Sequence, residues 1–314
     1  MAAEAPPRPP AAPPEDRRNH VLRIFIPWLI LSVIADLIIW FVWKPHLPPG
    51  TMSSSAEDQQ FTIAVMAVMA APVMIFVLIY FGYALVVWRQ RPDDDTDGPP
   101  IHGNTRIQAT WITVTSAIVL GLFVFGTVEL VATNGAGAGQ GASPIWKPGG
   151  TPLQVQVIGQ QWKFTYRYPQ FGGFETSQLV LPTNQWIEFH VTSLDVIHSF
   201  WAYQLGVKAD ANPGVDNVAY TKINNTGEIV VRCAELCGLW HGAMRDYGQA
   251  VSAGAFQTWA RTSETRLAAV TKILPPYALT YDPTVAPQMA KIMVQNGLGG
   301  GAGLSYPDNA PVNP

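Results

Sequence analysis

Three long apolar runs open the chain, and short alternating runs follow them. Residues 24–43 (IFIPWLILSVIADLIIWFVW) hold one charge in 20 positions, the length a hydrocarbon core of about 30 Å demands of a spanning helix. Residues 61–88 hold 28 positions without a charge, with Pro72 inside, where neighbouring helices can satisfy the carbonyl it frees. Residues 107–132 are polar at their start (Gln108, Thr110, Thr113, Thr115, Ser116) and carry Glu129 near their end, which predicts a third spanning helix that faces protein on one side. From Pro152 the period shortens to two. Leu153, Val155 and Val157 alternate with polar positions, as do Ile187, Phe189 and Val191, the pattern of half-buried strands in a sandwich or barrel. The β domain is assigned to residues 151–260, about the size of one such domain. The stretch GAFQTWARTSETRLAAV suggests one amphipathic helix, and residues 261–314 are assigned as C-terminal helix and extended tail.

The stretches between these runs are low in complexity. Residues 1–23 begin Pro/Ala-rich and are expected to be disordered, and residues 133–150, with the Gly/Ala run TNGAGAGQGAS, read as a linker. The first apolar run exceeds the 7–15 residues of a signal-peptide core, and no small-residue cleavage site follows in KPHLPPG, so it is expected to be retained. Basic residues set the orientation. Arg8, Arg17, Arg18 and Arg23 precede the first helix, and Arg89, Arg91 and Arg106 lie between the second and third, whereas the loop before residue 61 has only Lys44. The positive-inside rule then puts the N-terminus in the cytoplasm and the β domain on the outer, periplasmic face of a plasma membrane.

Only 13% of the chain is charged, and the net charge is −3, so there is no basic surface of the kind nucleic acid requires. The informative chemistry is concentrated in RCAELCGLWHGAM, which brings Cys233, Glu235, Cys237, His241 and Met244 together. Thiolate, thioether and imidazole select soft or borderline metals over magnesium or calcium. His198, in SLDVIHSFW, offers a second imidazole. Two thiolates, two imidazoles and a thioether exceed the four ligands of a structural zinc, and softness favours copper. A bare Cys pair on an oxidising face also fits a disulfide. His and Met at fixed spacing after the second Cys, on a loop with Gly238 and Gly242 for close backbone approach, favour the metal. A lone His such as His190 fits packing.

The run C-A-E-L-C-G-L-W-H-G-A-M resembles the binuclear copper A motif of cytochrome c oxidase subunit II. DVIHSFWAYQLGVKADANPG resembles the family's segment with the first copper histidine, GQQWKFTYRYP its aromatic strand, and HGNTRIQATWITV the start of its second spanning helix. The resemblance covers residues 61–260 and implies two membrane helices followed by a cupredoxin-like Greek-key barrel. It implies that Cys233 and Cys237 bridge two coppers, that His198 and His241 supply one imidazole each, that Met244 is a weak ligand, and that Glu235 binds through its backbone carbonyl. The Glu235 carboxylate, and Asp210 more weakly, would reach a magnesium shared with subunit I. Trp162 matches the tryptophan through which the family accepts electrons from cytochrome c, and as a strand aromatic it also fits a core position. The implied partners are subunit I and other oxidase subunits, cytochrome c or a membrane-tethered donor, and the lipid bilayer.

Departures from the family pattern are also visible. Gln108 stands where the family has a proton-taking Glu, and an amide cannot release a proton. Phe164 replaces a second Trp, Val215 replaces an Arg, and the helix at 24–43, with Asp36 inside it, has no counterpart in the two-helix form. Quinol-oxidising relatives lose the copper ligands, so a quinol oxidase subunit, or another copper A electron-transfer protein, is the alternative reading. From Ile145 to Pro314 there are 11 acidic residues and 11 Lys or Arg. That balance predicts weak electrostatic steering of a donor.

Overall fold

The structure is a computed structural model that describes residues 19–89, 102–272 and 274. The N-terminal segment before residue 19, the acidic run at Asp93–Asp97 and the tail from residue 275 lie outside the described residues. Two compact units divide the chain. Among the described residues, one holds those up to Trp43 together with those from Ala64 to Arg89, and the other holds Lys44–Ile63 together with those from His102 onward.

In the first unit, α1 (His20–Ile38) continues as a wider turn at Ile39–Trp43, and it packs on the later part of α2 (Ser54–Val87). Asn19 caps α1 by accepting the Leu22 amide at 3.1 Å, so the helix starts before the apolar run does. Trp28 donates to the Pro72 carbonyl at 2.8 Å, and His20 hydrogen-bonds Tyr83 at 2.7 Å. Asp36 Oδ1 and Ser32 Oγ are buried without a hydrogen-bond partner among the described residues.

In the second unit, α2 begins at Ser54, well before the apolar run at residue 61, because the β domain satisfies its polar first turns. Ser53 Oγ donates to the Leu205 carbonyl at 2.6 Å and accepts the Ala56 amide, and Gln59 donates to the Gly206 carbonyl at 2.6 Å. α3 (Thr105–Thr133) is capped by Asn104, ends at a left-handed Asn134, and buries none of its side chains. Its apolar surface is therefore left for lipid or protein. All three helices are long and apolar enough to cross a membrane.

Ten strands form the β domain. They are β1 (Leu153–Gln160), β2 (Lys163–Tyr168), β3 (Phe174–Thr176), β4 (Val180–Pro182), β5 (Trp186–Ser193), β6 (His198–Ala202), β7 (Val207–Ala211), β8 (Asn217–Lys222), β9 (Gly227–Cys233) and β10 (Arg245–Val251). One sheet has the order β3-β2-β1-β5-β8 and the other β4-β10-β9-β6-β7. The alternating residues named above, Leu153 to Val157 and Ile187 to Val191, are all buried between the sheets, with Phe164, Tyr166, Phe200, Ile229 and Val231. This is the expected cupredoxin-like barrel.

Two stretches depart from their expected roles. The Gly/Ala run read as a linker is tied to the barrel: Gly137 N donates to the Tyr220 carbonyl at 2.7 Å, Gly139 N to Lys208, and Gln140 N to Val218. With few side chains in the way, its backbone completes the edges of β7 and β8. The C-terminal helix α4 (Ala253–Thr271) begins inside the stretch assigned to the β domain, and it belongs there by packing. Its apolar stripe sets Phe256 and Trp259 on Tyr168, and Phe256 on Phe171.

Candidate metal centre

The ligand-type side chains converge where the second sheet ends. β9 delivers Cys233 as its last residue, a short turn at His241–Ala243 leads into Met244 just before β10, and β6 starts with His198. The antiparallel ladder closes the loop at its base, with the Cys233 amide donating to the Met244 carbonyl at 3.1 Å. Cys233 and Cys237 are free, buried thiols with Sγ atoms 3.7 Å apart. His198 Nδ1 lies 3.8 Å from Cys233 Sγ, and His241 Nδ1 lies 3.5 Å from Cys237 Sγ. Met244 Sδ is 3.8 Å from Cys237 Sγ, and the Glu235 carbonyl is 3.2 Å from Cys233 Sγ. His198, Cys233 and Cys237 form the tightest group, and His241 stands outside it on the Cys237 side. Each imidazole thus faces a different thiol.

The donor set fits copper. Soft sulfur and borderline nitrogen atoms converge, and among the described residues no carboxylate belongs to the cluster. His198 is oriented from behind: its Nε2 bonds Asp195 Oδ1 at 2.8 Å, which leaves Nδ1 for the site. Asp195 also accepts the Gln161 amide at 2.7 Å and the Val196 amide at 2.7 Å. Behind the His198 ring lies Gly159, where a Cβ would come within 3.1 Å of His198 Cδ2, so a larger residue there requires the ring to give by a few tenths of an ångström. Phe164 is fully buried, edge-on to His198 at 6.3 Å and to Phe200 at 5.9 Å.

The turn between β1 and β2 braces both ligand loops. Gln161 donates its backbone amide to Asp195 and its side-chain amide to the Cys237 carbonyl at 2.8 Å. Trp162 is half-buried, packs on the core, and donates its indole N–H to that carbonyl at 3.1 Å. Gly238 adopts φ +111°, a left-handed conformation, and a Cβ there would press on Gln161 Nε2 at 2.9 Å. Gly242 has open space around it, so the close approach expected there is absent and one glycine of the two is structurally required. Glu235 and Asp210 are exposed, the latter on β7 in register with Ser199, and neither carboxylate belongs to the ligand cluster. Asp195 and Gln161 were not legible as site residues. Their only signal was nearness in sequence to His198 and Trp162.

Electrostatics in the metal-free site follow the hydrogen bonds. Burial opposes a charged His198, but its bonds to Asp195 and Cys233 prevail and raise its pKa to about 9. Burial also opposes ionisation of Asp195, yet the His198 bond and the two backbone amides hold its carboxyl below the usual range. The Cys233 thiol is lowered against its own burial, chiefly by His198, whereas burial and the neighbouring Cys233 charge push the Cys237 thiol up. A metal that takes both sulfurs must therefore displace protons.

A largely buried cluster of two thiols, two imidazoles and a thioether at the end of a cupredoxin-like barrel, on a chain with three helices long and apolar enough to cross a membrane, is consistent with a copper A site. Residues 174–251 match the family model for the periplasmic domain of cytochrome c oxidase subunit II. Cytochrome c oxidase subunit 2 of Synechocystis is 28% identical over 266 residues, covering 74% of this chain and 80% of that protein. The subunit 2 of Thermostichus vulcanus is 28% identical, covering 75% and 84%. The crystallised periplasmic domain of subunit II from Bradyrhizobium japonicum is 33% identical, covers 36% of this chain and 94% of that one, and has a TM-score of 0.35. The chain belongs to the cytochrome c oxidase subunit II family. Its enzymatic place is as one subunit of the oxidase complex.

Proposed function

We propose that this chain is the electron-accepting subunit of a haem–copper terminal oxidase, taking electrons from cytochrome c or a tethered equivalent and passing them to haem in subunit I. Oxygen reduction to water, coupled to proton translocation, then takes place in subunit I. The convergence of Cys233, Cys237, His198, His241 and Met244 carries this reading. Because each imidazole faces its own thiol, Cys233, Cys237, His198, His241 and Met244 would hold two copper ions. When bound, a binuclear copper A centre would supply a one-electron carrier. The protein's part is to hold the donors still: Asp195 fixes His198, the β9–β10 ladder fixes Cys233 against Met244, and Gln161 with Trp162 fixes the Cys237 backbone.

Trp162 joins the domain surface to a ligand's own carbonyl, which suits it to electron input. Glu235 offers carboxylate oxygens, the donors a magnesium ion takes, at the boundary with subunit I, with Asp210 as a weaker second donor. The basic flanks favour a cytoplasmic N-terminus and an outer-face copper domain in a bacterial-type plasma membrane. The helices α2 and α3 supply the surface for subunit I, with Gln108 leaving proton uptake to other groups.

Metal analysis and electron paramagnetic resonance of the purified oxidase test the reading. Two coppers per chain sharing one unpaired spin are expected. One zinc, or an intact Cys233–Cys237 disulfide in the active complex, overturns it. Trp162→Phe is expected to slow electron input far more than it weakens donor binding, and an unchanged rate would return Trp162 to a packing role.

A further inference from the structure

The end of the barrel away from the metal ligands is where α2 and α3 join it. The first turn of α2 is sealed there, with Ser53, Ser55 and Ala56 almost completely buried. Ser53 Oγ donates to the Leu205 carbonyl at 2.6 Å and accepts the Ala56 amide at 3.1 Å, and Gln59 donates to the Gly206 carbonyl at 2.6 Å. α3 reaches the same place through the run that follows it: Gly137 donates to the Tyr220 carbonyl of β8 at 2.7 Å and accepts the Lys208 amide of β7 at 2.8 Å. Three segments remote in sequence then meet with no side chain between them. Gly206 lies at φ +60° and Gly137 at φ +86°. A Cβ on Gly206 would stand 2.7 Å from the Ala56 amide nitrogen, and one on Gly137 would overlap the Gly206 carbonyl. Backbone faces backbone at both points, so neither contact can yield by a side chain turning aside.

This junction grips the far ends of both ligand strands. The turn Tyr203–Leu205 leads from β6 into Gly206, and Gln204 Oε1 accepts the Val230 amide of β9 at 2.8 Å. β6 begins with His198 and β9 ends with Cys233. The two strands pair along their length, Phe200 with Cys233 and Ala202 with Val231. From Ala202 back to His198 is about 13 Å at strand rise, and a close-packed interior of low compressibility transmits a displacement over such a span. The places of His198 and Cys233 relative to α3 and the first turns of α2 are therefore set at the opposite end of the strands that carry them.

We infer that Ser53, Gly137 and Gly206 are positioning residues for electron transfer out of the metal centre: their junction ties the ligand strands to α2 and α3 and so sets the gap between the metal and the acceptor in subunit I. This rests on the reading of the chain as the electron-accepting subunit. Electron tunnelling falls steeply with distance, and a misplacement of about 1 Å that originates far from the reacting centre can cost about 100-fold in rate. A barrel on a loose tether would sample many gaps. The Gly/Ala run, by composition such a tether, removes that freedom instead, because only residues without a Cβ let the three backbones approach this closely.

The test uses the purified oxidase complex. A photoexcited ruthenium complex injects one electron into the copper centre, its arrival at haem is followed optically, and pulsed electron paramagnetic resonance measures the copper-to-haem distance and its spread. Gly137→Ala should slow the copper-to-haem step at least about tenfold and broaden the distance distribution, with copper content and the copper resonance unaltered. Ser53→Ala combined with Gln59→Ala removes two bonds of the junction without adding an atom. It serves where Gly137→Ala does not assemble, and it should move both readings in the same direction by a smaller factor. A rate and a distance distribution like the parent's in the assembled variants overturn the inference even if thermal stability falls, since contacts with subunit I would then hold the barrel by themselves. An electron that stays on copper in the parent complex instead overturns the electron-accepting reading, and the distance distribution alone then decides whether the junction sets the gap.

Discussion

The two loops that supply the ligands are held in different ways. The loop before His198 is stiffened by side chains: Asp195 bonds the imidazole, the Val196 and Gln161 amides and the Ser193 hydroxyl, so the ligand's direction is set before a metal arrives. The loop from Cys233 to Met244 is held by its backbone and from outside, through the ladder at its base and the Gln161 and Trp162 bonds to the Cys237 carbonyl. Its own apolar residues Leu236, Leu239 and Trp240 point away and are 78%, 84% and 50% exposed. The comparison teaches that one imidazole is preorganised by hydrogen bonding, while the sulfurs depend on a loop whose outward side chains contribute nothing to its rigidity.

The most damaging change in either loop is expected at the shared sulfur. Cys237 Sγ touches Cys233, His241 and Met244, so Cys237→Ser removes the common contact of three donors and puts a hard oxygen in its place. Copper content of the purified chain, read by mass spectrometry of the metal, should fall at least about tenfold. Retention of two coppers would show that the His198 half of the site suffices.

Next in size is the brace on the other loop. Asp195→Ala leaves His198 Nε2 and the Gln161 amide without their acceptor, and loss of such an outer partner typically costs 10–100-fold in metal affinity. Competition with a copper chelator should show a loss in that range, with the fold retained by circular dichroism. An affinity within twofold of the parent would mean that Gly159 and Phe164 alone orient the ring.

How much of this was legible in the sequence depends on where each partner lies along the chain. The Cys233–Met244 motif is contiguous, so its donors and their spacing could be read directly, and the alternation at Leu153–Val157 and Ile187–Val191 announced strands because both neighbours of each residue carry the signal. Asp195 and Gln161 act on each other across 34 positions, and Gln161 reaches Cys237 across 76; no local pattern encodes such a pair. The same holds for the start of α2. Its polar residues 54–60 read as loop because the groups that satisfy them, Leu205 and Gly206, lie some 150 positions later. Register is hidden for a related reason: Arg232 and Arg245 are separated by the whole metal loop, and only the β9–β10 ladder makes them neighbours.

A milder disturbance should arise at the contact between the loop and its external brace. Gly238→Ala places a Cβ on a backbone at φ +111° and against Gln161 Nε2 at 2.9 Å. Left-handed strain in a non-glycine residue costs about 1–3 kcal/mol, and the flexible end of Gln161 can yield only by loosening its bond to Cys237. Urea unfolding of the metal-free chain should shift by that amount, and the Trp162 fluorescence should move toward that of an exposed indole. Unaltered stability would mean that the loop relaxes freely, which would extend the contrast with the His198 loop.

The smallest effect is expected at Met244. It is almost fully buried, with Sδ 3.8 Å from Cys237 Sγ, so Leu fills the same space at little packing cost. What disappears is a neutral, polarisable donor. A weak thioether holds little of the metal's binding energy but favours the more oxidised form, so its loss should raise the midpoint potential while copper content stays within about twofold of the parent. Spectroelectrochemical titration of Met244→Leu beside the parent measures both quantities. Loss of copper comparable to that of Cys237→Ser would make the thioether a structural ligand, and the backbone-held loop would then depend on Met244 as much as the other loop depends on Asp195.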